Sequence, residues 1–219
     1  LNWEIVKKMI EDKMSHLPID VFIYEPNSQI KEKLKEERVQ LTDARAMLLF
    51  MLYKLVANGE FVSEFSSEKI CYFLQRFGAK EHFKLDYKPN FYGPYSGKVK
   101  YVINYLNGSY IMGYSSMDKK PFETLDLVSD GFEKVEGYIL SKPELVEIVN
   151  RTELFLDGFY SEFALELLST VDYISLNKDT FDLEIIKSEL EGWSERKRTL
   201  FSNDRFLNIS INHLKEHFG

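Results

Sequence analysis

The chain has 219 residues, of which 44% are hydrophobic, and its net charge is −7. This composition supports a packed core and excludes a disordered chain. No run of about 18 apolar residues occurs, so we expect no transmembrane helix, and the amphipathic N-terminus lacks the apolar centre of a signal peptide. The single cysteine, Cys71, excludes a disulfide within the chain, and we expect a buried thiol in a cytoplasmic protein.

The beginning of the chain predicts a fragment of one domain followed by a linker. A helix over about 2–16 is followed by a short strand over 19–24. One helix and one strand cannot bury both of their faces, so we expect residues 1–26 to be the last part of a domain. The charged residues 27–41 are predicted to be a linker.

Two helices open the main domain, which is predicted to span 42–219. Thr42 is the expected N-cap of the first helix, which is apolar over most of its circumference and should lie in the centre of the core. Ser66 or Ser67 is the expected cap of the second helix, and Gly78 should end it.

Short strands are predicted in the next part of the chain. Residues 83–87 alternate as a strand does, and a rigid turn follows at 91–95. Ser96 can cap a helix that extends to 106, and the segments 110–114 and 124–128 are further candidate strands. The chain is predicted to be helical from residue 129, in segments over about 130–140, 144–155, 162–175, 182–191 and 194–217. The predicted fold class is therefore α+β and mostly α-helical, with a small sheet of two or three strands.

The turn Phe91-Tyr92-Gly93-Pro94-Tyr95 is the least ordinary motif in the chain. Proline drives the preceding residue, Gly93, toward an extended conformation, so we expect a rigid turn into the next helix. The aromatic rings either pack inward with hydrogen-bonded hydroxyls or contact a partner. Both interpretations remain open from the residues alone.

Charge is distributed unevenly. Residues 123–191 carry 17 acidic and 5 basic side chains, a balance of −12, whereas residues 1–122 have a balance of +3. Such an acidic block repels nucleic acid and attracts a basic partner. A solvated acidic surface that keeps the protein soluble is the alternative interpretation.

No motif predicts catalysis or a metal site. The sequence contains no glycine-rich phosphate loop, nucleophile elbow or dinucleotide fingerprint. His213 and His217 have the spacing of a helical metal pair, but no glutamate follows His213 as a catalytic zinc motif requires. We therefore expect no cofactor, no metal and no enzyme activity.

A nucleic-acid platform is an alternative for the stretch 80–101. Lysines alternate with aromatic residues there, as in surfaces that stack unpaired bases. The residues are Lys80, Lys84, Lys88, Lys98 and Lys100, with Phe83, Tyr87, Phe91, Tyr92 and Tyr101.

Several motifs occur in an order that resembles the C-terminal domain of DarG, the antitoxin of DarT–DarG toxin–antitoxin systems. The resemblance covers about residues 42–215, and its helix followed by Tyr-Gly-Pro also resembles the broader Panacea-type antitoxin domains. The motifs are KICYFLQRFG, NFYGPYS, NYLNGSYIMGY, LELLSTVDYI and W-x-x-R-K.

The N-terminal residues extend this resemblance. LNW followed by IDVFIYEP is similar to the last helix and strand of the macrodomain that precedes this domain in DarG. In that family the macrodomain removes ADP-ribose from DNA, and the C-terminal domain binds DarT, an ADP-ribosyltransferase that acts on single-stranded DNA. The ligand loops and catalytic residues of the macrodomain match nothing in this chain, so the resemblance implies no glycohydrolase activity.

The resemblance and the charge pattern together predict a domain that binds and neutralises a DarT-like toxin, with acidic side chains imitating DNA phosphates. The expected partner-binding residues are Phe91, Tyr92, Tyr95, Glu123, Asp126, Asp130, Glu133 and Glu136. The expected structural residues are Gly93, Pro94, Trp193, Arg196 and Lys197. We expect no membrane partner and do not favour direct nucleic-acid binding.

Three alternatives are distinguishable by experiment. A Panacea-like module for another toxin or an adaptor would co-purify with that partner. A domain that binds single-stranded DNA would be retained on it at moderate salt. A residual hydrolase would release ADP-ribose from modified DNA.

Overall fold

A computed structural model describes residues 3–18, 38–114, 117 and 121–219. The chain forms two compact units, Leu1–Arg38 and Val39–Gly219. In the first unit, helix α1 spans Trp3–Met14.

Two predictions for the first part of the chain fall beyond what the structure covers. The strand predicted over 19–24 lies outside the described residues. So does the part of the predicted linker 27–41 that ends at residue 37. The assignment of residues 1–26 to the end of a macrodomain therefore stays a prediction.

The second unit is mostly α-helical with two small antiparallel sheets, so the predicted fold class is confirmed. Strand β1 (Lys88–Asn90) pairs with β2 (Gly93–Tyr95), and β3 (Ile111–Met112) pairs with β4 (Asp126–Leu127). The helices are α2 (Asp43–Ala57), α3 (Glu64–Leu74), α4 (Lys80–Phe83), α5 (Val99–Leu106), α6 (Phe132–Leu140), α7 (Pro143–Leu156), α8 (Glu162–Lys178), α9 (Leu183–Trp193), α10 (Glu195–Leu200) and α11 (Asp204–Phe218). None of the helices in these described parts is long and apolar enough to cross a membrane.

The core lies around helices α2, α3 and α8. Helix α2 is buried over most of its circumference, as its apolar sequence predicts, and every residue of α3 is buried. Helix α3 packs against both α2 and α8, and the β1–β2 hairpin packs against α3 and α8. Cys71 is buried in α3, as expected.

Polar caps determine where several helices begin. The hydroxyl of Thr42 accepts a hydrogen bond from the backbone N–H of Arg45 at 3.4 Å, as the sequence predicted. Helix α3 begins earlier than predicted. Ser63 is its N-cap and accepts from the backbone N–H of Ser66 at 3.1 Å, while the Ser66 hydroxyl accepts from the backbone N–H of Ser63 at 2.9 Å. Ser66 is therefore the returning residue of a capping box rather than the cap.

The strand predicted over 83–87 is wrong. After α3 the chain passes through a π-helical turn at Gln75–Ala79, where Gly78 has a φ of +119°, and continues as α4. Lys84 then adopts a left-handed conformation. The Gln75 side chain donates to the carbonyl of Leu85 at 3.0 Å and accepts from its N–H at 2.8 Å. Because that side chain satisfies the backbone of Leu85, strand pairing begins later, at Lys88.

The aromatic turn is the tip of a hairpin and does not lead directly into a helix. Asn90 pairs with Gly93, which leaves Phe91 and Tyr92 as its two loop residues. Helix α5 begins at Val99, after the predicted start. We call residues 88–95 the aromatic hairpin.

Candidate functional site

Helix α3 buries three charged side chains next to the aromatic hairpin. Glu64, Glu68 and Lys69 are at most 7% exposed. Buried charges are stable only when hydrogen bonds or opposite charges satisfy them. The contacts of these three residues therefore define the site.

Glu68 fixes the loop that follows the hairpin. Its carboxylate accepts hydrogen bonds from the Ser96 hydroxyl at 3.0 and 3.1 Å, from the Ser96 N–H at 3.3 Å and from the Gly97 N–H at 3.2 Å. These contacts occupy both oxygens. Burial nevertheless raises the pKa of Glu68 above its usual value.

Glu64 is bound by two tyrosine hydroxyls. Tyr95 donates to one carboxylate oxygen at 3.2 Å and Tyr114 to the other at 2.9 Å. Burial raises the pKa of Tyr95, so that its hydroxyl stays a neutral donor. A carboxylate has about four acceptor positions, so Glu64 keeps some of them open.

Lys69 holds the underside of the hairpin. Its ammonium donates to the carbonyl of Pro94 at 2.7 Å. Burial, together with the nearby charge of Lys197, lowers the pKa of Lys69 to about 7.

Glu166 binds two further cations from helix α10. Its carboxylate accepts from the Lys197 ammonium at 2.5 Å and forms a bidentate pair with the Arg196 guanidinium. Lys197 also donates to the Thr170 hydroxyl at 3.2 Å. Burial lowers the pKa of Lys197 to about 8, against the opposing effect of Glu166. We call Lys69, Glu166, Arg196 and Lys197 the buried charge cluster.

The tip of the hairpin rests on residues from α9 and α10. The Arg196 guanidinium lies 4.9 Å from the centre of the Tyr92 ring and 5.5 Å from that of Phe91. The indole N–H of Trp193 donates to the carbonyl of Asn90 at 2.9 Å. Trp193, Arg196 and Lys197, predicted as structural residues, thus lie together with Gly93 and Pro94.

A cavity of about 370 Å³ opens between α3 and the hairpin. Its walls combine aromatic residues with the buried charged residues Glu64, Glu68 and Lys69 of α3. This arrangement can exchange protons with a bound molecule. We call it the aromatic–carboxylate cavity, and it is lined by Glu64, Phe65, Glu68, Lys69, Asn90, Tyr92, Tyr95, Met117 and Pro121.

The predicted partner-binding aromatic residues differ in exposure. Phe91 is 52% exposed, while Tyr92 and Tyr95 are half-buried. The Tyr92 ring also packs edge-on against Phe122, with 4.8 Å between ring centres. Of these three aromatic residues, Phe91 is therefore the most accessible.

The predicted acidic residues are not among those that line the cavity, and they follow its lining residue Pro121 in the chain. Four of them are exposed and one is half-buried. Asp126 lies on β4, Asp130 in the 3-10 turn Ser129–Gly131, and Glu133 and Glu136 on helix α6, while Glu123 directly follows Phe122. Two other acids of the block 123–191 are buried. These are Glu166, in the cluster described above, and Asp172, which accepts from Arg76 at 2.8 Å and from the Tyr72 hydroxyl at 2.7 Å. The exposed acids are Glu123, Asp126, Asp130 and Glu133, and the half-buried one is Glu136.

The lysine and aromatic stretch 80–101 does not form one continuous surface. The Tyr87 ring packs edge-on against Tyr72, with 5.0 Å between ring centres, and its hydroxyl donates to the carbonyl of Glu68. Lys98 lies 3.8 Å from the carboxylate of Asp86.

The histidine pair is part of an aromatic cluster. The Nε2 atom of His213 lies 2.7 Å from the carbonyl oxygen of Phe155, and its ring stacks on Phe159. Within the described ranges, no group of three or more histidine, cysteine, aspartate or glutamate side chains is placed to hold a metal.

Reasoning from the sequence missed four charged residues of the site, although it singled out Arg196 and Lys197. Glu64, Glu68 and Lys69 stand in a polar run, which is typical of a solvated helix start. Glu166 lies about 100 residues further along the chain. No local spacing connects these positions, and only the tertiary fold brings them together.

The known proteins to which this chain is similar share one name. No protein-family model matches it. It is 29% identical over 203 residues to a DNA ADP-ribosyl glycohydrolase of Thermus aquaticus, an alignment that covers 91% of this chain and 55% of that protein. Proteins of the same name from Mycobacterium bovis and Mycobacterium tuberculosis are 21% identical over 220 residues, with 94% of this chain and 62% of each relative covered.

These comparisons support the predicted relation to DarG and correct the predicted function. The chain spans 55–62% of the length of the relatives it matches. The prediction of a toxin-neutralising domain without enzyme activity is wrong, because relatives that align with more than nine-tenths of the chain carry the name of an enzyme.

Proposed function

We propose that this chain is part of an enzyme that removes ADP-ribose from DNA. The observation that carries the proposal is the alignment of 91–94% of the chain with proteins named DNA ADP-ribosyl glycohydrolase. The chain spans little more than half of the Thermus aquaticus relative. We therefore extend the activity named for the whole relative to this chain only as a proposal.

The proposed reaction breaks a glycosidic bond. Water adds to the anomeric carbon of the ribose, the bond to the DNA base breaks, and the base takes up a proton. Glycosidases accelerate such reactions with one group that activates water and another that protonates the leaving group, around a transition state with positive charge on the sugar.

The aromatic–carboxylate cavity is the place in the described chain that fits these requirements best. Glu64 keeps acceptor positions open for a water molecule. Lys69, with a pKa of about 7, can donate a proton near neutral pH. The carboxylate of Glu68 is already occupied by Ser96 and Gly97, so we assign it a positioning role.

The activity test uses a single-stranded oligonucleotide that carries ADP-ribose and measures free ADP-ribose by chromatography. We expect release by the chain and a loss of about a hundredfold or more in the Glu64→Gln variant, because removing a proton-transfer group costs rate on that scale. Glu162→Gln is the matched control, since Glu162 follows the N-cap Ser161 of α8 as Glu64 follows Ser63, but is exposed. The control variant should stay within about twofold of the unmodified chain.

One result would overturn the proposal for this chain. If the chain releases no ADP-ribose while the full Thermus aquaticus relative does so in the same assay, the hydrolytic residues lie in the part of the relatives outside the match. That result would agree with the prediction that residues 42–219 correspond to the domain after the macrodomain.

A further inference from the structure

We propose that the aromatic–carboxylate cavity binds a guanidinium group, as carried by an arginine side chain or by a small guanidine compound. This inference goes beyond the proposed hydrolysis and does not depend on it. It concerns a cationic ligand in the same cavity that the proposed hydrolysis assigns to the DNA substrate, an anion, so ligand and substrate would compete for this space.

The charges around the cavity favour a cation. Glu64 and Glu68 each contribute a buried carboxyl group. Lys69 is the cation of the lining; its ammonium donates to the carbonyl of Pro94 and lies 5.4 Å from the centre of the Phe65 ring, so the lining has two carboxyl groups and one ammonium. In the part of the chain that the structure describes, no lysine or arginine forms an ion pair with Glu64. A ligand cation would complete the open acceptor positions of Glu64 and balance its charge.

The walls of the cavity favour a planar cation. Phe65, Tyr92 and Tyr95 present aromatic rings to the space, and guanidinium groups stack on such rings while donating hydrogen bonds from their edge. The guanidinium of Arg196 already lies over the Tyr92 ring, 4.9 Å from the ring centre. A compact ammonium would bind Glu64 but would gain less from the rings.

Calorimetric titration of the whole chain in the absence of DNA tests the proposal. The probes are agmatine, a blocked Gly-Arg-Gly peptide and the same peptide with citrulline in place of arginine. We expect saturable one-site binding of at least one guanidinium probe and none of the neutral citrulline peptide. Binding of agmatine alone would indicate a small guanidine compound, and tighter binding of the peptide would indicate an arginine side chain of a polypeptide.

Two variants test whether the ligand binds in the cavity. Glu64→Gln should weaken binding by at least about tenfold, on the scale measured for charge pairs in buried sites, while Glu162→Gln should leave it unchanged. Equal affinity in the unmodified chain and in Glu64→Gln, or no saturable binding, would overturn the proposal.

A third variant tests for a competing cation from the chain itself. Lys119 and Lys120 stand in the sequence between the lining residues Met117 and Pro121 and lie outside the described residues. If only a Lys119→Gln/Lys120→Gln variant binds the probes, the chain fills its own cavity and the proposal of an external ligand is wrong. Because none of these titrations uses DNA, their outcome is independent of the hydrolysis assay.

Discussion

Gly93 is one of the residues at which the aromatic hairpin approaches the buried charge cluster. Its φ is +91°, and a Cβ at this position would lie 2.7 Å from the Thr170 hydroxyl and 3.3 Å from the Lys69 ammonium. The Thr170 hydroxyl cannot move away easily, because it donates to the carbonyl of Glu166 at 2.6 Å. Glycine is therefore required both by the backbone conformation and by the available space.

We predict that Gly93→Ala lowers the free energy of unfolding by at least about 3 kcal/mol, from left-handed strain and overpacking together. Gly59→Ala is the matched control, because Gly59 has a φ of +85° and nothing within 4 Å of its added Cβ. The control should lose only about 1 kcal/mol. Urea unfolding of both variants gives the comparison, and equal losses would mean that the contact with Thr170 and Lys69 does not constrain the hairpin.

Single residues of the site were predictable only where the sequence itself is unusual. The Gly93-Pro94 pair and the Trp193 motif stand out, and both lie at the hairpin. Lys69 and Glu166 have no such signal, because a charged residue in a helical segment is normally solvated. Their burial depends on partners that are distant in sequence.

Between elements, Glu166 connects helix α8 to helix α10. It is buried and carries the only carboxylate that contacts both Arg196 and Lys197 among the described residues. Removing one partner of a buried ion pair leaves the other charge uncompensated.

We predict that Glu166→Gln lowers the free energy of unfolding by about 3 kcal/mol, because two buried or half-buried cations lose their counter-charge. Glu189→Gln is the control, since Glu189 pairs with Lys178 at 2.7 Å on the surface, and its loss should stay below about 1 kcal/mol. Urea unfolding measures both. A loss in Glu166→Gln no larger than in the control would show that the cluster contributes little to stability.

Helices were predicted better than strands and turns. Thr42 accepts a hydrogen bond from the first turn of its helix as expected, because a cap acts within three residues, and Ser161 and Asp182 do the same for α8 and α9. The strand over 83–87 failed because the Gln75 side chain binds the backbone of Leu85, a tertiary contact that alternation of side chains cannot reveal. Rules that act between neighbouring residues predicted the helix starts, whereas the site joins residues that are far apart in the sequence.

For the whole molecule, the formal charge overstates the acidity of the surface. Residues 123–191 carry a balance of −12, yet Glu166 and Asp172 in this block are buried against cations. Burial raises the pKa of Asp172 and Glu68 above their usual values. These two groups bind protons more strongly in the folded chain, so their contribution to stability falls as pH rises above about 4 to 4.5.

The buried lysines have the opposite effect at higher pH. The pKa of Lys69 is lowered to about 7 and that of Lys197 to about 8, whereas both are near 10.5 when unfolded. Above pH 7 the unfolded chain therefore binds more protons than the folded one, and stability rises with pH. Above about pH 8.5 Cys71 opposes this rise, because burial raises the pKa of its thiol and only the unfolded chain loses that proton.

We therefore predict that the free energy of unfolding increases by about 2 kcal/mol between pH 7.0 and 8.5. Urea unfolding at a series of pH values measures the increase. In Lys69→Met, whose side chain is apolar and of similar length, more than half of the increase should disappear, while Lys178→Met, at an exposed ion pair, should keep it. A flat or falling profile in the unmodified chain, or an unchanged rise in Lys69→Met, would show that the ammonium beneath the hairpin keeps its proton throughout this range.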